Sequence, residues 1–169
     1  LRPYRNSDIK EQFKAIRASL NEMGPWLPFA HPDYSIEDTQ KWIKASPANW
    51  KAGTQYTFCI LDAKDSSIIG GCGISDFGEG RSRCNLGYWV RSDRTGQGIA
   101  VAATKLLAKW GFEVLKLKRI EIVVAVENAR SLRVAEKAGA KREGILRNRL
   151  DIRHVVHDAV MHSLVPGEV

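Results

Sequence analysis

The sequence predicts a mixed α/β fold, and three observations support this prediction. The chain has 169 residues, of which 44% are apolar and 27% charged, an ordinary composition for a globular protein. Its first third shows helical spacing of apolar residues, its middle shows short runs rich in β-branched and aromatic residues, and its second half alternates strand and helix patterns. No repeat or long linker divides the chain, so we expect residues 1–169 to form a single domain.

The first third predicts a short strand and two helices. Residues 1–4 are typical of a strand, and the helix that follows carries apolar residues at helical spacing, namely Ile9, Phe13, Ile16 and Leu20. Residues 24–32 contain three prolines, which remove hydrogen-bond donors and fix φ, so this segment is expected to be irregular. Ser35 followed by Asp38 resembles a capping arrangement, and it predicts a second helix that reaches about residue 46.

From residue 54 the pattern changes to strands. Residues 56–61, 68–74 and 86–90 are rich in β-branched and aromatic residues, with glycine and aspartate turns between them. Residues 76–80 mark a hairpin turn. The middle of the chain therefore predicts consecutive strands joined by short connections.

The second half predicts strand–helix units. Residues 99–117 return to a helical period, and residues 120–126 form a nearly continuous apolar run, as expected for a strand covered on both faces. Residues 129–138 are typical of a second helix, which Gly139 closes. The last two strands are expected around residues 144–146 and at residues 155–164.

The net charge of the chain favours some classes of binding partner but does not identify one. The net charge is +7, from 26 basic and 19 acidic side chains, and the excess lies mainly in the second half. A positive surface attracts phosphates, nucleic acid or an acidic substrate, or it simply keeps the protein solvated. A nucleic-acid-binding module is one alternative function, although basic residues interleaved with exposed aromatics and a docking motif are absent.

Membrane and metal functions find no support in the sequence. No apolar run approaches the roughly 20 residues that span a bilayer, and no signal-peptide pattern opens the chain. We therefore expect no membrane partner and a cytoplasmic location. Cys59, Cys72 and Cys84 lie in predicted strands without the spacing of a zinc site, so we expect buried free thiols in a reducing compartment and no metal.

The most informative segment connects a strand that ends at Val90 to a helix that starts near Ile99. Gly96 and Gly98 let the backbone approach a ligand closely, and free N–H groups at a helix start attract an anion. A plain helix-entry turn is the simplest alternative. A dinucleotide fingerprint needs a third glycine at Val101, and a P-loop needs Gly-Lys-Ser/Thr. The segment therefore favours a diphosphate ligand held without lysine or metal.

Several segments spread over nearly the whole chain resemble one known family, and they occur in the same order as in that family. The turn at residues 96–100, which follows Gly-Tyr-Trp-Val at residues 87–90, resembles the acyl-CoA pyrophosphate loop of the GNAT superfamily of N-acetyltransferases. Segments that resemble its ribosomal-protein N-terminal acetyltransferase branch are residues 26–29, 126–131, 135–139 and 157–158. The resemblance implies a largely antiparallel sheet, splayed between its fourth and fifth strands and flanked by helices, with acetyl-CoA as cosubstrate in the splay.

The resemblance also implies the residues of the site. A backbone N–H at Trp89 or Val90 is the implied donor to the thioester carbonyl. Ser131 is the implied acid or sulfur-orienting group, with a local helix-start hydrogen bond as the alternative, and Asn128 holds the pantetheine chain or the helix start. Ser131 and Asn128 are thus the candidate catalytic residues. The implied cofactor-binding residues are Tyr88, Trp89, Val90, Arg94, Thr95, Gly96, Gln97, Gly98, Ile99, Ala100, Asn128 and Ser131.

The chain departs from the family pattern where protons are transferred. Ala135 stands where many relatives have a tyrosine acid, and Leu150 stands where a glutamate base is proposed. A water chain, His157 or Asp158 is left as the base.

The missing glutamate bears on the acceptor. An α-amine has a pKa near 7.7–8.0 and a lysine side chain one near 10.4, so an α-amine is neutral more readily without a base. We expect the N-terminal α-amine of a ribosomal or other protein, or a small amine, as the acceptor, with Trp26 and Phe29 lining its pocket. The resemblance also allows ribosome association and a homodimer. The alternatives are an acetyltransferase for a polyamine, amino acid or antibiotic, and a non-catalytic acyl-CoA-binding module.

Overall fold

The computed structural model describes residues 1–169 and contains a seven-stranded sheet with helices on both faces. The strands lie in the order β1-β2-β3-β4-β5-β7-β6, and every neighbouring pair is antiparallel except β4 and β5, which are parallel. The predicted mixed, largely antiparallel sheet is therefore confirmed. The strands are β1 (Arg2–Pro3), β2 (Tyr56–Leu61), β3 (Ile68–Ser75), β4 (Arg83–Val90), β5 (Arg119–Ala125), β6 (Lys141–Ile152) and β7 (Val155–Leu164).

Five α-helices accompany the sheet: α1 (Ile9–Arg17), α2 (Leu20–Met23), α3 (Ile36–Ala52), α4 (Ile99–Glu113) and α5 (Ala129–Lys137). The predicted first helix is interrupted between Arg17 and Leu20, where the Ser19 hydroxyl donates to the Ala15 carbonyl oxygen at 2.9 Å and accepts the N–H of Ser92 at 3.1 Å. Ser19 thus connects the end of α1 to the loop after β4. None of the helices is long and apolar enough to cross a membrane.

Helix α3 continues beyond its predicted end, through Pro47, and closes at Gly53 with a left-handed φ of 69°. Proline in a helix interior costs a hydrogen bond and a steric clash. The extra turns carry Trp50, whose ring centroid lies 5.0 Å from that of Tyr56 and 5.1 Å from that of Phe58. Aromatic packing therefore outweighs the local cost of the proline.

The apolar core lies on both faces of the sheet. The larger cluster packs between the sheet and α4, with Ile74, Leu86, Leu107 and Ile120 among its fully buried members. Smaller clusters lie against α1 and α3 on the opposite face. The three cysteines are buried free thiols, as predicted.

The parallel pair β4–β5 is joined over only three residues, Arg83–Asn85 against Arg119–Glu121. Beyond that point β4 continues to Val90 beside β3, and β5 continues to Ala125 beside β7. The two strands therefore part toward their C-terminal ends. The predicted splay between the fourth and fifth strands is confirmed.

Charged side chains link β4, β5 and β6 at the end where β4 and β5 are paired, and a serine hydroxyl adds β7. Arg83 lies 3.3 Å from Glu121, and Arg119 contacts Glu121 at 2.9 Å and the carboxylate of Glu143 at 2.7 and 2.6 Å. The Ser163 hydroxyl also donates to Glu143, at 2.6 Å. Arg119 first, and then Ser163, lower the pKa of Glu143 to about 2. We call this group the closed-end network.

Candidate active site

The strand register decides which backbone groups line the splay. The N–H of Arg91 donates to the Ile69 carbonyl oxygen at 2.9 Å, so the odd-numbered residues of β4 direct their backbone groups toward β3. The N–H and C=O groups of Tyr88 and Val90 therefore face β5. Of the two implied donors to a thioester carbonyl, the register selects Val90, because the N–H of Trp89 points toward β3.

The facing edge of β5 follows from the same alternation. The N–H of Val126 donates to the Asp158 carbonyl oxygen at 3.0 Å, so the even-numbered residues of β5 pair with β7. Val123 and Ala125 then direct their backbone groups toward β4, and the Ala125 carbonyl oxygen accepts the N–H of Asn128 at 2.9 Å. Val123 thus offers an N–H and a C=O to an extended chain placed between the strands.

The loop between β4 and α4 presents a row of unpaired donors. None of the backbone N–H groups of residues 96–101 has an acceptor within the chain, and the first paired one is that of Ala102, which donates to Gly98 at 3.0 Å. Gly96 and Gly98 have φ of 78° and 75°, a conformation that glycine adopts without strain. The first turn of α4 carries no acidic residue. The helix dipole and these donors together favour an anion here.

Two predicted phosphate-loop side chains are held by the protein itself. Arg94 Nη2 lies 2.5 Å from Asp62 Oδ2 in the turn between β2 and β3. The Thr95 hydroxyl donates to the Ser92 carbonyl oxygen at 3.0 Å. Hydrogen bonds from the Lys64 N–H and then from Arg94 lower the pKa of Asp62, so the Arg94 partner is ionised. The loop therefore offers mainly backbone donors to a ligand.

Tyr88 and Ser131 meet across the splay. The Tyr88 hydroxyl lies 2.9 Å from the Ser131 hydroxyl and donates to the Ser131 carbonyl oxygen at 3.1 Å. Asn128 Oδ1 accepts the Ser131 N–H at 3.1 Å and so caps α5. Burial raises the pKa of Tyr88 to about 12, which keeps its proton in place. Ser131 therefore contacts a distant tyrosine rather than a local acceptor, and Asn128 holds the helix start.

The predicted acceptor-side aromatics have different neighbours. The ring centroid of Trp26 lies 6.4 Å from that of His157, whereas Phe29 lies 6.5 Å from Tyr34. Trp89 packs its side chain into the same small cluster as Tyr34, beneath α1 and α2. Trp26 is thus the aromatic side chain of the irregular loop that contacts a potential proton acceptor.

Sequence reasoning missed the residue that anchors this loop. Arg153 donates to the Ala30 carbonyl oxygen at 3.3 Å and to that of Gly24. Arg153 and His154 form the turn between β6 and β7 with φ of 52° and 67°. Positive φ at two residues other than glycine is unusual, and no turn signal in the sequence could have revealed it.

The sequence of the chain matches a known protein family. The family model described as an acetyltransferase (GNAT) domain matches residues 1–141 of the chain. The chain belongs to the GNAT acetyltransferases. The predicted family, and with it the acetyl-CoA-dependent N-acetyltransferase activity, is confirmed. The unpaired N–H groups and the two glycines at the open splay fit the pyrophosphate of acetyl-CoA.

Individual GNAT proteins resemble the chain over most of its length. It is 32% identical over 154 residues to "Probable N-acetyltransferase YjcK" of Bacillus subtilis (strain 168), covering 90% of the chain and 78% of that protein. It is 25% identical over 150 residues to "Ribosomal-protein-serine acetyltransferase" of Escherichia coli (strain K12), covering 89% and 79%. The solved structure of Mycobacterium smegmatis RimJ in complex with CoA-disulfide superposes with a TM-score of 0.90 at 27% identity, covering 99% of the chain and 82% of RimJ.

Proposed function

We propose that this GNAT enzyme transfers the acetyl group of acetyl-CoA to the N-terminal α-amine of a protein, with ribosomal proteins as the acceptor class. The row of unpaired N–H groups at residues 96–101, beside the parted ends of β4 and β5, is the observation that carries the cofactor half of this proposal. The acceptor half rests on the relatives named as ribosomal-protein acetyltransferases. A ribosomal acceptor also favours a cytoplasmic location and contact with the ribosome.

Each part of the splay has a role in this proposal. The N–H groups of residues 96–101 bind the pyrophosphate, and the edge groups of Val123 pair with the amides of the pantetheine chain. The Val90 N–H donates to the thioester carbonyl and stabilises the oxyanion as the amine attacks. Bound acetyl-CoA supplies the activated acetyl group. The chain supplies binding, orientation and proton transfer.

Ser131 is the proposed proton donor to the leaving thiolate. The Tyr88 hydroxyl has one proton and two acceptors within reach, the carbonyl oxygen and the hydroxyl of Ser131. When it donates to the hydroxyl, the Ser131 proton is free to move to sulfur as the C–S bond breaks. Asn128 contributes to catalysis by fixing the backbone of Ser131 at the start of α5.

An α-amine is the acceptor that this site favours over lysine. Its pKa lies about 2.5 units below that of a lysine side chain, which corresponds to about 3.4 kcal/mol of deprotonation at a given pH. Leu150 occupies the place of the glutamate that the resemblance assigns as base. A site without that carboxylate is less handicapped when its substrate loses a proton easily.

The test is a panel of acceptors mixed with acetyl-CoA while free thiol is followed. We expect peptides with a free N-terminus to be acetylated faster than matched peptides whose only amine is a lysine side chain. Faster release with polyamines, amino acids or aminoglycosides assigns a small-molecule acceptor instead. Tight CoA binding without any release identifies a non-catalytic binding module.

A further inference from the structure

Three side chains from separate segments meet beside the parted end of β5. His157 belongs to β7, Glu127 follows β5, and Trp26 lies in the loop after α2. The Nδ1 atom of His157 lies 3.4 Å from Glu127 Oε2, and its ring stands beside the indole of Trp26. The side chain of His157 is 17% exposed, so the ring is mostly enclosed yet still reachable.

The strand register places this group on the face of the sheet opposite α4 and α5. Even-numbered residues of β7 point toward α4 and α5, as the buried His162 and Leu164 do. The odd-numbered His157 therefore points to the opposite face, the face on which the side chain of Trp89 is packed. Ser131 and Tyr88 lie on the α5 side. The proton donor proposed for sulfur and the imidazole thus approach the splay from opposite faces.

His157 also lies directly across the β6–β7 ladder from Leu150, which stands where the resemblance implies a glutamate base. The register pairs Leu150 of β6 with His157 of β7. Side chains of directly paired residues share a face and have their Cβ atoms about 5 Å apart. An ionisable group at residue 157 therefore reaches the same region of the site that a side chain at residue 150 would reach.

The neighbouring carboxylate is already engaged. Asp158 Oδ1 accepts the N–H of Asn148 at 2.8 Å, where β6 bulges out of register. Asp158 thereby stabilises the left-handed backbone of Asn148, whose φ is 51°. His157 and Asp158 are the two side chains that the sequence left open as bases. The His157 ring makes no hydrogen bond to the backbone of the kind that engages Asp158.

We propose that His157 is the general base of this acetyltransferase and that Glu127 orients it, an inference that rests on the proposed function. Nδ1 of His157 carries its proton toward Glu127, which leaves Nε2 with a lone pair. Nε2 takes one proton from the acceptor ammonium, and the resulting neutral amine attacks the thioester carbonyl. Nε2 passes that proton to solvent and is then free to accept another. As the C–N bond forms and the C–S bond breaks, the nitrogen of the new amide loses its second proton to Nε2, and the thiolate receives a proton from Ser131. Nε2 releases the second proton to solvent and Ser131 regains a proton from solvent, so one proton is released per turnover.

Glu127 is the charged group within ion-pair distance of His157. On β6, Asp151 pairs with Val156 and so points to the other face of the sheet, and Arg149 lies in the stretch where β6 is out of register. On β7 itself, the carboxylate of Asp158 is held by Asn148. Glu127 is therefore the group placed to orient the ring through Nδ1, which makes Glu127 a positioning residue.

The experiment compares His157→Gln with His154→Gln, a matched substitution of the neighbouring histidine in the exposed turn. Initial rates are measured from pH 5.5 to pH 9 with peptides whose N-terminal amines differ in basicity. We expect His157→Gln to lower kcat/KM about 100-fold at pH 7, within the range typical of a general base. The loss shrinks to less than about 10-fold at pH 9 and with the least basic amines, because those amines are already neutral. We expect His154→Gln to behave like wild type and Glu127→Gln to lose about 5–10-fold.

The outcomes separate this inference from the proposed function. If wild type acetylates none of the peptides, the proposed function fails. If wild type is active and His157→Gln keeps its rate and pH profile, the assignment of His157 is wrong. An equal loss at every pH and with every amine also overturns the assignment, since it indicates a structural role. Binding of CoA, measured for all three variants by calorimetry, is expected to stay within threefold of wild type and shows that the variants are folded.

Discussion

The two ends of the β4–β5 pair are built in opposite ways. At the closed end, three residue pairs form a parallel ladder, and the closed-end network joins three strands through ionised side chains and a fourth through the Ser163 hydroxyl. At the open end, the backbone edges of Val90 and Val123 have no strand partner, and the hydroxyl contact between Tyr88 and Ser131 crosses the gap.

This difference shows how the sheet separates stability from function. Unpaired backbone groups at a protected edge are costly unless a ligand satisfies them. The closed end fixes the position of the strands, and the open end leaves donors and acceptors for a ligand. Substitutions at the open end should therefore change binding and catalysis, and those at the closed end should change the free energy of unfolding.

The largest effect is expected at the start of α4. Gly98→Val places a β-branched residue at a φ of 75° and puts a side chain beside the N–H groups that face the anion. We expect CoA affinity to fall at least 100-fold, measured by calorimetry. Gly144→Ala is the control, because Gly144 has open space around its Cβ position and no left-handed φ. Unchanged affinity in Gly98→Val would show that the anion binds elsewhere.

The next effect is on the chemical step. Ser131→Ala removes the hydroxyl that lies 2.9 Å from Tyr88 and should lower kcat about 100-fold while CoA binding stays within a few-fold. Tyr88→Phe keeps the ring and should lower kcat by about 10-fold. Single-turnover measurements with acetyl-CoA and an N-terminal peptide give the rate of the chemical step in each variant. A Ser131→Ala enzyme with wild-type kcat would rule out Ser131 as the acid.

A smaller effect is expected where the irregular loop is anchored. Arg153→Gly relieves the left-handed φ of 52° but removes the hydrogen bonds to Gly24 and Ala30. We expect the KM for the peptide to rise about 5-fold, with the KM for acetyl-CoA unchanged. Steady-state kinetics in both substrates provide the measurement. If only the KM for acetyl-CoA rises, the loop does not contribute to binding of the acceptor.

The smallest functional effect is expected at the closed end. Arg119→Met removes the partner of Glu143 and should lower the free energy of unfolding by about 0.5–1 kcal/mol, with kcat/KM changed less than twofold. The pKa of Glu143 is about 2 in the folded protein, below its ordinary 4.5. Its contribution is therefore complete above pH 4.5 and is lost as the pH falls toward 2.

Urea unfolding at pH 7, 5 and 3 tests this dependence. Wild type should lose more stability than Arg119→Met over the acid range, because the variant has already lost the ion pair between Arg119 and Glu143. Parallel loss in both proteins would place the acid-sensitive carboxylates elsewhere.

The sequence predicted the features of the candidate site that depend on local backbone conformation. Gly96 and Gly98 could be located because a left-handed turn before a helix favours glycine, and the strand before them has a clear apolar pattern. The extent of β6 was underestimated, since it is an exposed edge strand whose charged residues show no alternation. The passage of α3 through Pro47 was missed because the packing of Trp50 is a long-range effect.

Contacts between distant segments were beyond the sequence. The Tyr88–Ser131 contact joins residues 43 apart, and Arg153 reaches carbonyl groups more than 120 residues away. Each depends on how far β4 and β5 part and on how the last hairpin turns. A local sequence pattern predicts neither the separation of the two strands nor the direction of the hairpin. The implied residues could be named individually, but not their pairing.

The short β4–β5 ladder has a consequence for the lifetime of the protein. Three residue pairs join the sheet half β1–β4 to the half β5–β7, and a ligand in the splay would add contacts to both halves. Because such a ligand binds the folded state alone, it adds about 2.7 kcal/mol at a hundredfold excess over Kd. Pulse proteolysis with and without CoA should reveal slower cleavage of the complex. The supply of acetyl-CoA would then govern how long each molecule survives, as well as how fast it works.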